Sequence, residues 1–138
     1  MADKKISQYA DSGVLDGTEL AEIVKAGANV KTPARRFHTA PVVTEATAAR
    51  SAIPDHAGQY CRFTNAAAKT WTFDNAQAYE VGSEFHARNV GAGNLTLTPA
   101  GGFTLNAPYL GTLVVPAGGT VTVKIVAAGV ADVFGVTA

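Results

Sequence analysis

From Tyr60 onward, large apolar and small polar residues alternate with a period of two. Tyr60 to Thr64 alternates in this way, and Trp71 and Phe73 alternate with Thr70 and Thr72. Phe85 to Asn89, Leu95 to Thr98 and Phe103 to Leu105 follow, and a last run covers Asp132 to Val136. The clearest run is Thr120 to Ile125. Val121, Val123 and Ile125 take one face there, and Thr120, Thr122 and Lys124 the other. A period of two belongs to a strand with one face buried and one face wet. Turn residues separate the runs. Gly91-Ala92-Gly93-Asn94 and Gly101-Gly102 each join two strands, and Pro116-Ala117-Gly118-Gly119 breaks the chain before Thr120. Glycine supplies the positive φ that tight hairpins need. Strands at intervals of about ten residues, with no helical period between them, predict an all-β fold: an antiparallel β-sandwich, jelly-roll-like. No internal repeat is visible, which argues against a solenoid.

The first forty residues behave differently. Gly13, Gly17 and Gly27 punctuate them. Leu20 to Lys25 reads as the first arm of a hairpin that turns around Ala26-Gly27-Ala28-Asn29. The alternative is a short helix, since Glu19 and Glu22 suit a first helical turn. Residues 31–41 read as an extended strap held by Pro33 and Pro41, because proline removes a donor and disfavours helix in the residue before it. The expected division is an N-terminal arm of residues 1–41 and a sandwich of residues 42–138. A small domain with so long an irregular segment is expected to use it to grip a partner.

Composition narrows the function. The chain has 138 residues, 47% of them hydrophobic and only 16% charged, which is the reverse of a disordered composition. The net charge is zero, so the basic surface of a nucleic-acid binder is not expected. Weak self-repulsion favours association instead. Residues 1–62 hold eight of the eleven Lys and Arg and seven of the eleven Asp and Glu, so few charges remain for the β region. No apolar run approaches the ~20 residues of a membrane span. No apolar stretch follows Lys4 and Lys5, so a chain made in the cytoplasm without a secretory signal is expected. Cys61 is the only cysteine, which rules out an intramolecular disulfide and a cysteine-based zinc site and leaves a small core residue.

Catalysis needs titratable groups that converge. His38 lies in the strap, His56 in the Pro54-Asp55-His56-Ala57-Gly58 turn, and His86 within a strand. Glu84 and His86 share one side of that strand, but no third metal ligand joins them in the pattern. Asp55-His56 lacks a Gly-x-Ser-x-Gly nucleophile elbow. Gly91-x-Gly93 sits between strands and precedes no helix, so it is not a dinucleotide loop. Four acids in residues 63–138 make a glycosidase-type carboxylate pair a poor expectation. The expectation is therefore a non-enzymatic protein without metal or cofactor. Arg35-Arg36 reads either as two guanidinium forks for a partner's carboxylates or as a solvated dibasic pair, and Phe37 beside them gives the stretch the composition of an interface anchor. Trp71 and Phe73 read as core, with Trp71 as a glycan-stacking platform the lesser alternative.

Lys5-Ile6-Ser7-Gln8-Tyr9, Val14-Leu15-Asp16-Gly17-Thr18-Glu19-Leu20, Ile23-Val24-Lys25-Ala26-Gly27 and Lys31-Thr32 together resemble a segment near the N-terminus of many tailed-phage structural proteins. Gly58 to Asn65, Val81 to Phe85, Asn89 to Gly93, Leu95 to Leu97, Phe103 to Asn106, Gly119 to Val123 and Asp132 to Gly135 resemble a phage-type β module. That module serves both head decoration (cement) proteins and tail-fibre or spike proteins. A repetitive shaft, a coiled coil and a distal receptor-binding domain are not seen here, which turns the expectation toward a capsid decoration protein. The resemblance implies a virion protein on the outer surface of the head, a dimer or trimer, with the major capsid protein as its partner. The arm is then expected to cross neighbouring subunits, and the anchors expected in it are Ile6, Tyr9, Arg35, Arg36 and Phe37. The alternative the resemblance implies is a tail-fibre or baseplate module that binds host-surface glycan.

Overall fold

The computed structural model describes residues 20–25, 28–33 and 40–138. The chain divides into a unit Met1–Thr39 and a unit Ala40–Ala138. In the first, β1 (Leu20–Lys25) and β2 (Ala28–Pro33) form an antiparallel hairpin with Leu20 opposite Pro33 and Lys25 opposite Ala28. The hairpin holds over the helix, consistent with the β-branched Ile23, Val24, Val30 and Thr32 in the two arms. Residues 31–33 of the expected strap belong to its second arm.

The second unit has ten strands: β3 (Val42–Glu45), β4 (Ala49–Ser51), β5 (Tyr60–Phe63), β6 (Lys69–Asp74), β7 (Glu84–Asn89), β8 (Leu95–Ala100), β9 (Thr104–Asn106), β10 (Val114–Val115), β11 (Thr120–Ala127) and β12 (Val130–Gly135). They form a six-stranded sheet of order β3-β5-β7-β11-β12-β9 and a four-stranded sheet of order β10-β8-β6-β4. The all-β, two-sheet expectation holds. The antiparallel jelly roll does not, because β3-β5, β5-β7, β4-β6, β6-β8 and β9-β12 all pair parallel. Only β7-β11, β11-β12 and β8-β10 are antiparallel.

From β3 to β8 the chain alternates between the sheets, one strand to each, as three stacked coils of a flattened solenoid. Alternation along a strand reports which face is buried and carries no information about the direction of the neighbouring strand. The Gly91–Asn94 and Gly101–Gly102 turns therefore cross from sheet to sheet and do not close hairpins. The one sequential hairpin of this unit is β11-β12, turning at Gly129, where φ is +69°. The coils do not repeat in sequence because each fills the core with different side chains.

Between the sheets lies an aromatic core. Trp71 packs against Phe63, Phe73 and Phe85 with ring centroids 5.5, 4.9 and 6.4 Å away. Tyr79 meets Phe85 and Phe103 edge-on at 5.5 and 5.4 Å. Such pairs each add about 0.5–1.5 kcal/mol beyond area burial. The Tyr79 hydroxyl donates to the Ala52 carbonyl at 2.9 Å, so its polar end is satisfied. Trp71 is buried and cannot be a glycan platform. Cys61 and Phe73 are core, as expected.

Among the described residues one fully buried side chain is charged. Lys69, 1% exposed, shares the phase of Trp71 and Phe73 at the end of the sandwich. Burial pushes its ammonium below its ordinary pKa. Its three N–H groups reach three backbone carbonyls: Asn65 at 2.6 Å, Gly93 at 2.8 Å and Ala67 at 3.2 Å. Buried Asn89 donates to the Gly93 and Val115 carbonyls at 2.8 and 3.0 Å. These two side chains lock the loops at that end together.

At the first turn of the solenoid, Glu45 accepts from the Thr47 hydroxyl at 2.6 Å, the Thr47 amide at 2.8 Å and Arg50 at 2.9 Å. The Thr47 hydroxyl above all, then the Thr47 amide and Arg50, hold its carboxyl below the ordinary 4.5. A depressed carboxylate stabilises the fold above the unfolded value, and the gain is lost as pH falls through the folded value. Urea midpoints measured down that window should fall more steeply for the parent than for Glu45→Gln, which has no charge to lose.

Candidate functional site: the outer face of the six-stranded sheet

The two sheets present contrasting outer faces. On the four-stranded sheet, Ala49, Thr70, Thr96 and Val114 stand in one register row, and Ser51, Thr72 and Thr98 in the next. Those two rows are small and uncharged. The six-stranded sheet carries large side chains in three rows. The middle row is Val42, Tyr60, His86, Thr122 and Phe134, one residue from each of five neighbouring strands. Its ends are the exposed ones: Val42 is 66% and Phe134 51% accessible. His86 and Thr122 are tied by a hydrogen bond of 3.0 Å between Nδ1 and Oγ1.

On one side runs Glu84, Lys124, Asp132 and Asn106. Lys124 donates to Glu84 at 2.9 Å, and the side-chain amide of Asn106 donates to Asp132 at 2.8 Å. Lys124 is the main cause that lowers the Glu84 pKa. His86 Nε2 lies 3.8 Å from Glu84. The expected pairing of Glu84 and His86 on one side is present, and among the described residues no group of three His, Cys, Asp or Glu side chains is placed to hold a metal.

On the other side run Thr44, Arg62, Arg88 and Thr120. Arg62 and Arg88 are exposed register partners on adjacent strands. Like charges directly abreast in a sheet repel. Among the described residues neither has an acidic partner within ion-pairing distance. Two guanidinium groups side by side form a double fork for carboxylates. The pair went unread in the sequence because 26 positions separate the two arginines; the available signal was that each occupies the outward phase of its strand.

The sequence-derived anchors Ile6, Tyr9, Arg35, Arg36 and Phe37 lie outside the described residues, as does His38. Asp55 and His56 sit in a short 3-10 turn, Pro54–His56, where His56 Nδ1 accepts from the Ile53 amide at 3.3 Å. Burial holds His56 below its ordinary pKa. Among the described residues no helix is long and apolar enough to cross a membrane. Comparison with protein-family models, curated proteins and solved structures found no match to this chain.

Proposed function

We propose that this chain is a non-enzymatic structural protein of a tailed-phage particle, a decoration or cement protein. In this reading it binds the outside of the head and holds neighbouring major capsid protein subunits together. The observation that carries the proposal is the Arg62–Arg88 pair beside the aromatic row on one broad sheet face. Arginines beside Tyr60 and His86 near the middle of a patch suit a protein interface, where arginine and tyrosine are enriched. Two abreast arginines gain most when a partner supplies carboxylates. The sequence resemblance supplies the partner class.

Six strands at about 4.8 Å spacing make a face about 24 Å wide. One such face is at the low end of a standard interface. Strength then comes from number: a dimer or trimer presents several faces and arms, and each added contact acts at high effective concentration. Two-partner ion pairs desolvated at such a contact carry both affinity and salt dependence.

The test is cosedimentation with heads that lack the protein. Arg62→Glu with Arg88→Glu should weaken binding about a hundredfold while the circular dichroism spectrum and melting temperature stay those of the parent. Alanine at Arg35, Arg36 and Phe37 together should also weaken binding and leave the sandwich folded. Undiminished binding by the double charge reversal would remove this face from the contact.

A further inference from the structure

A cleft lies at the β9–β12 edge, away from the arginine row. Its volume is about 330 Å³, and Asn106 to Tyr109 line one side and Asp132 to Gly135 the other. That volume is at the small end of ligand sites and suits one ring. Tyr109, 93% exposed, and Phe134, 51% exposed, are the two aromatic side chains of its lining. The backbone holds Tyr109 out. Leu110 adopts φ +59°, a conformation non-glycine residues seldom take, and the Gly111 amide closes the turn onto the Pro108 carbonyl at 2.9 Å. A side chain at Gly111 would collide with Thr137, so the turn is pinned against the C-terminal segment. Left-handed strain at an exposed aromatic tip is a feature of ligand-contacting loops.

Asn106 and Asp132 face each other within this cleft. Their mutual hydrogen bond leaves the second Asp132 oxygen and the Asn106 carbonyl as acceptors and the second amide hydrogen as a donor. Donor and acceptor side by side match two adjacent hydroxyls, each of which gives and takes one bond. Exposed aromatic faces match the C–H face of a pyranose. An added β-strand fits poorly, because β9 is three residues long and Pro108 and the left-handed Leu110 end the edge. A basic side chain fits less well, because Lys124 stands beside Asp132 in register. We propose that this cleft is a saccharide site that takes one pyranose ring of a neutral glycan between Tyr109 and Phe134, with Asp132 and Asn106 binding adjacent hydroxyls. The proposal does not need the capsid reading, although the cleft lies at the edge of the same sheet face and shares Phe134 with its middle row.

Amide NMR of the full chain, titrated with methyl glycosides of glucose, galactose, mannose, rhamnose and N-acetylglucosamine, tests it. At least one glycoside should shift resonances of residues 106–110 and 132–135. Tyr109→Ala, harmless to the fold because the ring is outside it, should weaken that binding about tenfold, and Asp132→Ala likewise. No response to any glycoside overturns the proposal. So does a response that both variants leave intact. Shifts produced by N-acetyl-lysine amide or N-acetyl-arginine amide in place of the glycosides would assign the cleft to a protein partner.

Discussion

Lys69→Ala should lower the unfolding free energy by about 3–5 kcal/mol, seen as a drop in urea midpoint with little change in slope. Two costs combine. Truncating a fully buried side chain leaves a cavity at the end of the sandwich. The Asn65 and Ala67 carbonyls also lose their Lys69 donor, while the Gly93 carbonyl keeps its bond from Asn89. Each buried carbonyl left unpaired costs about 1–3 kcal/mol unless water reaches it. Lys69→Met separates the two, since it keeps most of the stem and removes only the donors. It should recover the cavity part and remain less stable than the parent. A Lys69→Ala protein as stable as the parent would mean that the ammonium is not what ties these loops.

Gly91→Ala should be comparably damaging, by about 3 kcal/mol or more, or roughly 12–24 °C in melting temperature for a domain of this size. A Cβ on Gly91 would run into the Asn65 carbonyl, and one on Gly93 into Ala67. These obstacles are backbone, so no rotamer change relieves them. The Gly91 amide also donates to the Phe63 carbonyl at 3.0 Å, which fixes how closely the loops approach. Because Asn65 both blocks Gly91 and accepts from Lys69, the Gly91→Ala and Lys69→Ala effects should not add. The double variant should be less damaged than the sum.

These two positions show where the sequence was legible. Alternation in Trp71-Thr72-Phe73 correctly placed the aromatics inward, and the same phase reaches back to Lys69. A lysine in the inward phase was the visible sign of a buried, fully bonded ammonium. Gly91 and Gly93 were read as hairpin-turn residues that supply positive φ, and neither has one. Their role is close approach between coils, which depends on Asn65 and Ala67 lying beside them. That proximity follows from parallel stacking, and parallel stacking leaves no local mark: β5 and β7 are parallel neighbours with all of β6 between them in sequence. The candidate face was hidden for the same reason. Val42 and Phe134 are 92 positions apart, yet they cap one row because their strands fall in one sheet. The β1–β2 hairpin was legible because its contacts are local.

The measurement that tests the proposed role most directly is cryo-electron microscopy of the purified particle that carries this protein. Many copies should lie on the outside of the head, with the Arg62–Arg88 face of the six-stranded sheet turned to acidic side chains of the capsid shell. A few copies at the tail, with that face open to solvent, would contradict the proposed role.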